Sequence, residues 1–360
     1  MRKIVCGTLV ASLAAAGFSG MTSCSKGGDG PSTPDSLKVT LSASSLVSTG
    51  FEGVTVTVKD KNGADVTGAV QLFADGVAFT GPVYYPDAVK QVAVTAQKGT
   101  VPSNVAVLDV TAAPASPFTQ KIVVEDFTGT WCGYCPRVAY NLENYIKQKP
   151  ACVSVGVHGG SSTEPFTYQY INTLANNFAV NSFPWAVLNN ATKWDEKNAT
   201  LNSALTKRAP LGLAIESATG TDSVTGKIKV KFDVSTNLPL RIVIMLVEDK
   251  LVYNQTNYYT DLGANPLPGF VHTNILRKIA SADVVNGDAI PAAAAVKGNV
   301  WEQKFSFSLA GKTGINTNYT ANAANCKIVA FVQYDAANTA GRKGALNVQF
   351  ADAGATKDFD

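Results

Sequence analysis

Val54, Val56 and Val58 alternate with Thr55, Thr57 and Lys59, the period of two expected of a half-buried strand. Turn chemistry follows at Asp60-Lys61-Asn62-Gly63, and Val66, Val70 and Leu72 resume the apolar pattern. Asp75-Gly76 and Lys98-Gly99 mark further turns, and Val105, Val107 and residues 109–111 a last strand. Short strands broken by frequent turns predict a small β-sandwich over residues 37–113. Ala112-Ala113-Pro114-Ala115-Ser116-Pro117 then reads as a linker.

The texture changes at Lys121-Ile122-Val123-Val124-Glu125-Asp126-Phe127, a β-branched run that predicts a buried strand. A helix follows from about Cys135 to Lys149, with Val138, Leu142 and Ile146 on one face and Pro150 as its stop. Val153, Val155 and Val157 predict the next strand, with Cys152 at its start and His158 at its end. Residues 159–181 carry Phe166, Tyr170, Leu174 and Phe178 four apart, a second helical stripe that faces the core. After Pro184 come Val187 and Leu188, a turn at Asn189-Asn190 and a short helix around Leu201 and Leu205. The order β, α, β, α, β, β, α predicts an α/β domain over residues 118–210, with 159–181 as a helical insertion.

From Leu211 the period of two returns: Ile228, Val230, Phe232 and Val234 alternate with Lys227, Lys229, Lys231 and Asp233. Ile242 to Val247 is wholly apolar, Trp301, Phe305, Phe307 and Leu309 alternate again, and Ile328 to Val332 and Leu346 to Phe350 complete the set. A second β-sandwich over 211–360 is the expectation, making the chain a multidomain α+β protein. Tyr253 to Ile290, between those strands, reads as a long Asn-rich loop, a length usually functional or disordered.

Met1-Arg2-Lys3 followed by small and apolar residues to Phe18 is a targeting segment. Its apolar run is shorter than the roughly 20 residues a spanning helix needs. Met21-Thr22-Ser23-Cys24 resembles a bacterial lipobox, which implies a signal peptide over 1–23, lipidation of Cys24, and membrane attachment through that lipid. Residues 24–36 read as a flexible tether. The absence of an acidic residue at Ser25 and Lys26 resembles sorting to the outer membrane, with the periplasmic or outer face left open.

A net charge of +3, partly carried by the leader, is too small to argue for a nucleic-acid partner, and none is expected. Of six cysteines, Cys6 leaves with the leader and Cys24 takes lipid, and export implies an oxidising compartment. Cys152 and Cys326 are either two buried thiols or a bond between domains. Cys132 and Cys135 sit where a strand hands over to a helix, where free amides and the helix dipole favour a thiolate. Cys132 is expected to be the exposed nucleophile and Cys135 the resolving thiol. Asp126, buried in the preceding strand, would titrate high and relay a proton to Cys135. A cis proline at Pro184 would face the disulfide and leave neighbouring backbone free to pair with a peptide. A metal site from Cys132, Cys135, Cys152 and His158 is the weaker alternative, and no metal or cofactor is expected. His272 is weighed between loop packing and binding.

Asp126, Trp131-Cys132-Gly133-Tyr134-Cys135-Pro136 and Ser182-Phe183-Pro184-Trp185 together resemble the thioredoxin superfamily over about residues 119–210. The resemblance implies Cys132 as attacking thiol, Cys135 as resolving thiol, Asp126 as buried acid and Pro184 as cis proline, with Trp131, Tyr134 and Phe183 against the substrate. Gly133-Tyr134 replaces the commoner Gly-Pro of that superfamily. The N-terminal segment resembles bacterial immunoglobulin-like modules on Val58-Lys59-Asp60 and Asn62-Gly63. The leader, the segment from Glu125 to Pro136 and Val271-His272-Thr273-Asn274-Ile275-Leu276-Arg277 resemble the twenty-eight-kilodalton outer-membrane protein family over about residues 118–350, most sharply at Phe127 to Pro136. Members of that family are outer-membrane lipoproteins.

Two functions follow. The first is an envelope thiol–disulfide oxidoreductase whose partners are protein thiols or disulfides. It comes first because Asp126, Trp131 and Pro184 are more machinery than a structural disulfide requires. The second is a surface or periplasmic binding lipoprotein, an adhesin or complex component with an envelope protein partner, in which the cysteine pair is structural. An exposed Cys132 sulfur is expected for the first, and a deeply buried bond for the second.

Overall fold

The structure, a computed structural model, describes residues 36–86, 88–338 and 340–360. The leader, Cys24 and all but the last residue of the expected tether lie outside them. The described chain is mostly β, with several sheets and three α-helices: Cys135–Gln148 (α1), Ile171–Asn177 (α2) and Asn198–Leu205 (α3).

The N-terminal segment forms two small sheets. One orders Lys38–Leu41, Val54–Lys59 and Val83–Tyr84, and the other centres on Lys90–Lys98 between Ala106–Thr111 and Gln71–Ala74. Alternate residues, Val54, Val56 and Val58 against Val92, Val94 and Leu108, meet in the core between them. The threonines and lysine between those valines therefore face outward. At the predicted turn, Asp60 Oδ1 accepts from the Asn62 and Ala64 amides.

A nine-stranded sheet organises the rest. Its order is Thr192–Lys193, Trp185–Leu188, Ile122–Thr128, Cys152–His158, Ile275–Ile279, Leu240–Glu248, Cys326–Tyr334 and Ala345–Asp352, with Asp288–Ile290 also on Leu240–Glu248. Ile122–Thr128 and Cys152–His158 run parallel, joined by α1. The expected boundary at residue 210 does not divide this sheet. Cys152–His158 would otherwise present an unpaired edge. Ile275–Ile279 closes it, running parallel, with the Gly156 amide donating to the Asn274 carbonyl at 2.9 Å.

Burial on two faces explains the apolar run at 242–247. Ile242, Ile244 and Leu246 pack against Leu213, Ile228 and Val230 of a second sheet, formed by Leu211–Thr219, Ser223–Phe232, Val300–Ser308 and Thr356–Lys357. Val243, Met245 and Val247 face the opposite core, with Val155, Val157, Leu174 and Phe331. Each such side chain contributes about 1.5–3 kcal/mol when fully buried. The expected C-terminal sandwich is thus a layer laid on a sheet that it shares with the α/β segment.

Two further expectations are corrected. The stretch from Tyr253 to Ile290 is not a loop: it holds the hairpin strand Leu267–His272, which pairs with Leu251–Gln255, and two strands of the large sheet. The stripe beginning at Phe166 is helical only over Ile171–Asn177, because Thr167 bonds back to the Glu164 carbonyl and the Tyr168 amide donates to the His158 carbonyl. Cys152 and Cys326 are free, buried in different cores, their thiols pushed up to about 12 by burial.

Candidate active site

Residues 129–134 turn the chain from the Ile122–Thr128 strand into α1. Cys135 opens the helix with Pro136 at its first turn, where no intrahelical partner is lost to the missing N–H. Cys132 and Cys135 are joined, with an S–S distance of 2.07 Å. Their polypeptide surroundings were only partly legible from the sequence.

Strand alternation places Asp126. Ile122 and Val124 share its face and pack against Val138 and Leu142 of α1, whereas Val123 and Phe127 enter the opposite core. Asp126 Oδ1 is buried with no protein hydrogen-bond partner. Burial first, and the charge of Glu196 second, push the carboxyl up to about 7. Asp126 and Cys135 line a cavity of about 60 Å³ with Ser154, His158, Gln255 and His272. That volume admits ordered water, given polar groups to hold it.

Glu164, fully buried, clamps the cysteine loop. Its Oε2 accepts from the Thr130 amide at 2.6 Å and the Thr130 hydroxyl at 2.8 Å, and its Oε1 from His158 Nδ1 at 3.0 Å. Trp131 Nε1 donates to the Gly159 carbonyl at 2.8 Å, and its ring stacks on Phe183 at 5.7 Å between centroids. The Phe183–Pro184 bond is cis. Trp131 and Phe183 therefore link the cysteine loop to the proline loop, and Gly160 lets them meet, since a Cβ there would lie 2.8 Å from the Trp131 ring and 2.9 Å from that of Phe183. Tyr134, in the same loop as Trp131, is exposed.

Cys132 is not exposed: it is 3% accessible. The residues that link Leu251–Gln255 to Leu267–His272 lie along the cysteine loop. Gln255 Nε2 donates to the Cys132 carbonyl at 2.9 Å, the Thr256 amide to Thr130 at 2.8 Å and the Tyr258 amide to Gly133 at 2.9 Å. Tyr258 and Tyr259 pack edge-on against Tyr134, while Arg137 reaches both Tyr259 and Glu196. The buried Asn257 side chain fixes the tip by donating to the Tyr259, Gly263 and Ala264 carbonyls. This cap, and Glu164, Thr130 and Gln255 within the site, escaped the sequence reading. The Asn-rich composition of the 253–290 stretch was its visible trace.

Gly133 is where the cap is tightest. A Cβ there would lie 2.5 Å from the Tyr258 ring, and that side chain is 58% exposed. Gly133→Ala should loosen the cap and make reduction of the disulfide by dithiothreitol several-fold faster, followed by alkylation of the freed thiols. An unchanged rate would show that the cap does not limit access.

His158 and His272, the chain's two histidines, meet beside the cavity with ring centroids 5.2 Å apart. Burial, then the neighbouring His158, hold His272 down at about 3. Its Nε2 is buried without a protein partner. Among the described residues no group of three or more His, Cys, Asp or Glu is placed to hold a metal ion, and no described helix is long and apolar enough to cross a membrane.

Comparison with known proteins adds the following. HBP35 of Porphyromonas gingivalis is similar in fold over 66% of this chain and 76% of its own, with a TM-score of 0.52 and 19% identity. A protein of Agrobacterium tumefaciens aligns over 66% of this chain and 95% of its own at a TM-score of 0.40 and 13% identity, below the level at which a shared fold is argued. No curated protein matches the sequence. The family described as outer membrane protein Omp28 matches residues 171–357. That span holds the cap and His272 but begins after the cysteine pair, so the segment from Phe127 to Pro136 lies outside it. The match covers more than half of the chain, and the chain belongs to the outer membrane protein Omp28 family.

Proposed function

We propose that this protein is an envelope thiol–disulfide oxidoreductase, a thioredoxin-like unit whose Cys132–Cys135 pair acts on protein disulfides and rests beneath a cap. Lipid on Cys24 would anchor it to the outer membrane, and its partners would be envelope proteins with accessible disulfides or thiols. The observation that carries the reading is Asp126: a buried carboxyl with an unpartnered oxygen, sharing a cavity with Cys135. Such a group is expensive to bury and has no packing role to offset the cost. Beside a resolving thiol it has a chemical one.

In the reducing direction, the Cys132 thiolate attacks a client disulfide, forming a mixed disulfide and releasing one client thiolate, which takes a proton from solvent. Cys135 gives its proton to Asp126 and attacks Cys132, closing the protein disulfide and releasing the second client thiolate. The client gains two electrons and the pair loses them. The opposite direction reverses each step. Trp131, Tyr134 and Phe183 would border the client, and Pro184 would present the neighbouring backbone to it. The cap must shift before Cys132 meets a client.

The 3% accessibility of Cys132 favours a second reading, a binding lipoprotein in which the bond is structural. A Cys135→Ser variant expressed in its own envelope separates them. Catalysis predicts reductant-sensitive adducts of Cys132 with envelope proteins, absent when Cys132 is also replaced by serine. No adduct, with Cys132 inert to alkylation in the folded protein, would assign the bond to structure.

A further inference from the structure

We propose that His272 is a positioning residue for proton transfer, orienting the water through which Asp126 exchanges its proton when Cys135 reacts. The inference rests on the redox reading above. It starts from two buried polar atoms without protein partners, Asp126 Oδ1 and His272 Nε2, on residues that line the same cavity. A polar cavity of about 60 Å³ with such groups on its wall is the kind of site that ordered water fills. Ser154 adds a hydroxyl, Gln255 an amide and His158 a second imidazole to this wall, beside the apolar Leu142 and Phe270.

The tautomer of His272 follows from its surroundings. The ring bonds the Tyr253 backbone, a contact in which one ring N–H donates to a carbonyl. Kept neutral by burial and by His158, the ring then offers Nε2 as an acceptor. A water donating one hydrogen to Nε2 has its lone pair free to accept from protonated Asp126 and its second hydrogen free to serve the carboxylate. His272 comes from the hairpin, far in sequence from the strand and helix that carry the chemistry. The same hairpin supplies the cap, so the element that covers Cys132 also completes the proton path behind Cys135.

The charged and titratable groups around the path are few. Cys135 and Glu143 come from α1, Glu196 precedes α3, His158 ends the Cys152–His158 strand, and Glu164 follows it. Reduction by dithiothreitol gives a balanced test step. Its thiolate attacks Cys132, the Cys132–Cys135 bond breaks and Cys135 leaves taking the Asp126 proton. The reagent's second thiol then loses its proton to solvent and attacks its own sulfur bound to Cys132, breaking that mixed disulfide, releasing Cys132 as the thiolate and closing the cyclic disulfide. Asp126 is then reprotonated through the water on His272.

The experiment is the pH profile of that rate, at fixed thiolate concentration, on the full chain in detergent. The wild type should show a break near neutrality that Asp126→Asn abolishes. His272→Phe should slow the reaction about tenfold, a small part of what positioned proton transfer contributes, and move the break upward, whereas His272→Gln, which keeps an acceptor, should restore both. The wild type alone gives a second readout: in mixtures of light and heavy water the rate should bow, since more than one proton moves. A linear dependence, or a His272→Phe profile that overlays the wild type, overturns the inference while leaving the Asp126-dependent break standing. A wild-type profile with no such break overturns the redox reading, and this inference with it.

Discussion

Glu164→Ala is expected to lower stability by about 2–6 kcal/mol, at about 1–3 kcal/mol for each of the two buried groups it leaves without a partner. The side chain is fully buried and receives the Thr130 amide, the Thr130 hydroxyl and His158 Nδ1. Truncation strands a buried amide and a buried imidazole together, and neither can reach water without opening the loop that carries Cys132. Burial alone would raise the Glu164 carboxyl, but His158 and the Thr130 bonds outweigh it and hold the group below its usual range. The sign follows: a depressed folded pKa contributes stability above about pH 4.5 that is lost as pH falls. The gap between wild type and variant, measured by urea unfolding, should therefore be widest at neutral pH and shrink in acid. A loss under about 1 kcal/mol, the range of a surface pair, would mean the clamp is not holding.

Glu125→Gln should act in the opposite sense. Glu125 points away from α1, is buried, and leaves Oε2 without a protein partner. Burial pushes its carboxyl up to about 8 from 4.5. The folded chain then holds a proton that the unfolded chain has lost, so stability is full below about pH 4.5 and declines as pH rises toward 8. At 1.4 kcal/mol per unit this withholds on the order of 5 kcal/mol in the alkaline half of the range. Glutamine carries no such proton. The variant should match the wild type near pH 5 and exceed it by several kcal/mol near pH 8. Asp126, raised to about 7 chiefly by burial, leaves its own decline in both proteins. Parallel stability curves for the two proteins would refute the burial cost.

What could be read from the residues was local. The Ile122–Thr128 strand, the placement of Cys135 at a helix start, the end of α1 before Pro150, and the prominence of Phe183-Pro184 all rest on patterns within a few residues. The cap is a contact between positions 123 residues apart, Gln255 and Cys132. Nothing near Cys132 announces that its carbonyl is taken. Ile242 to Val247 reads as buried on both faces, but an apolar strand pairs with any available edge, so its place in the sheet begun by Ile122–Thr128 was not legible. Phe166 keeps helical spacing and yet stands outside α2, because the structure around Glu164 competes for that segment's backbone. The two histidines are 114 positions apart in the sequence and meet only because Ile275–Ile279 completes the sheet beside Cys152–His158.

The central claim is that Cys132 and Cys135 exchange electrons with clients. The reduction potential of the pair, measured together with disulfide turnover for which Cys132→Ser is the control, addresses it directly. The account predicts a value in the exchange-active range, roughly −270 to −120 mV, and turnover that the serine variant abolishes. A potential below about −300 mV with no turnover would contradict it, and would make the cap a permanent cover over a structural bond.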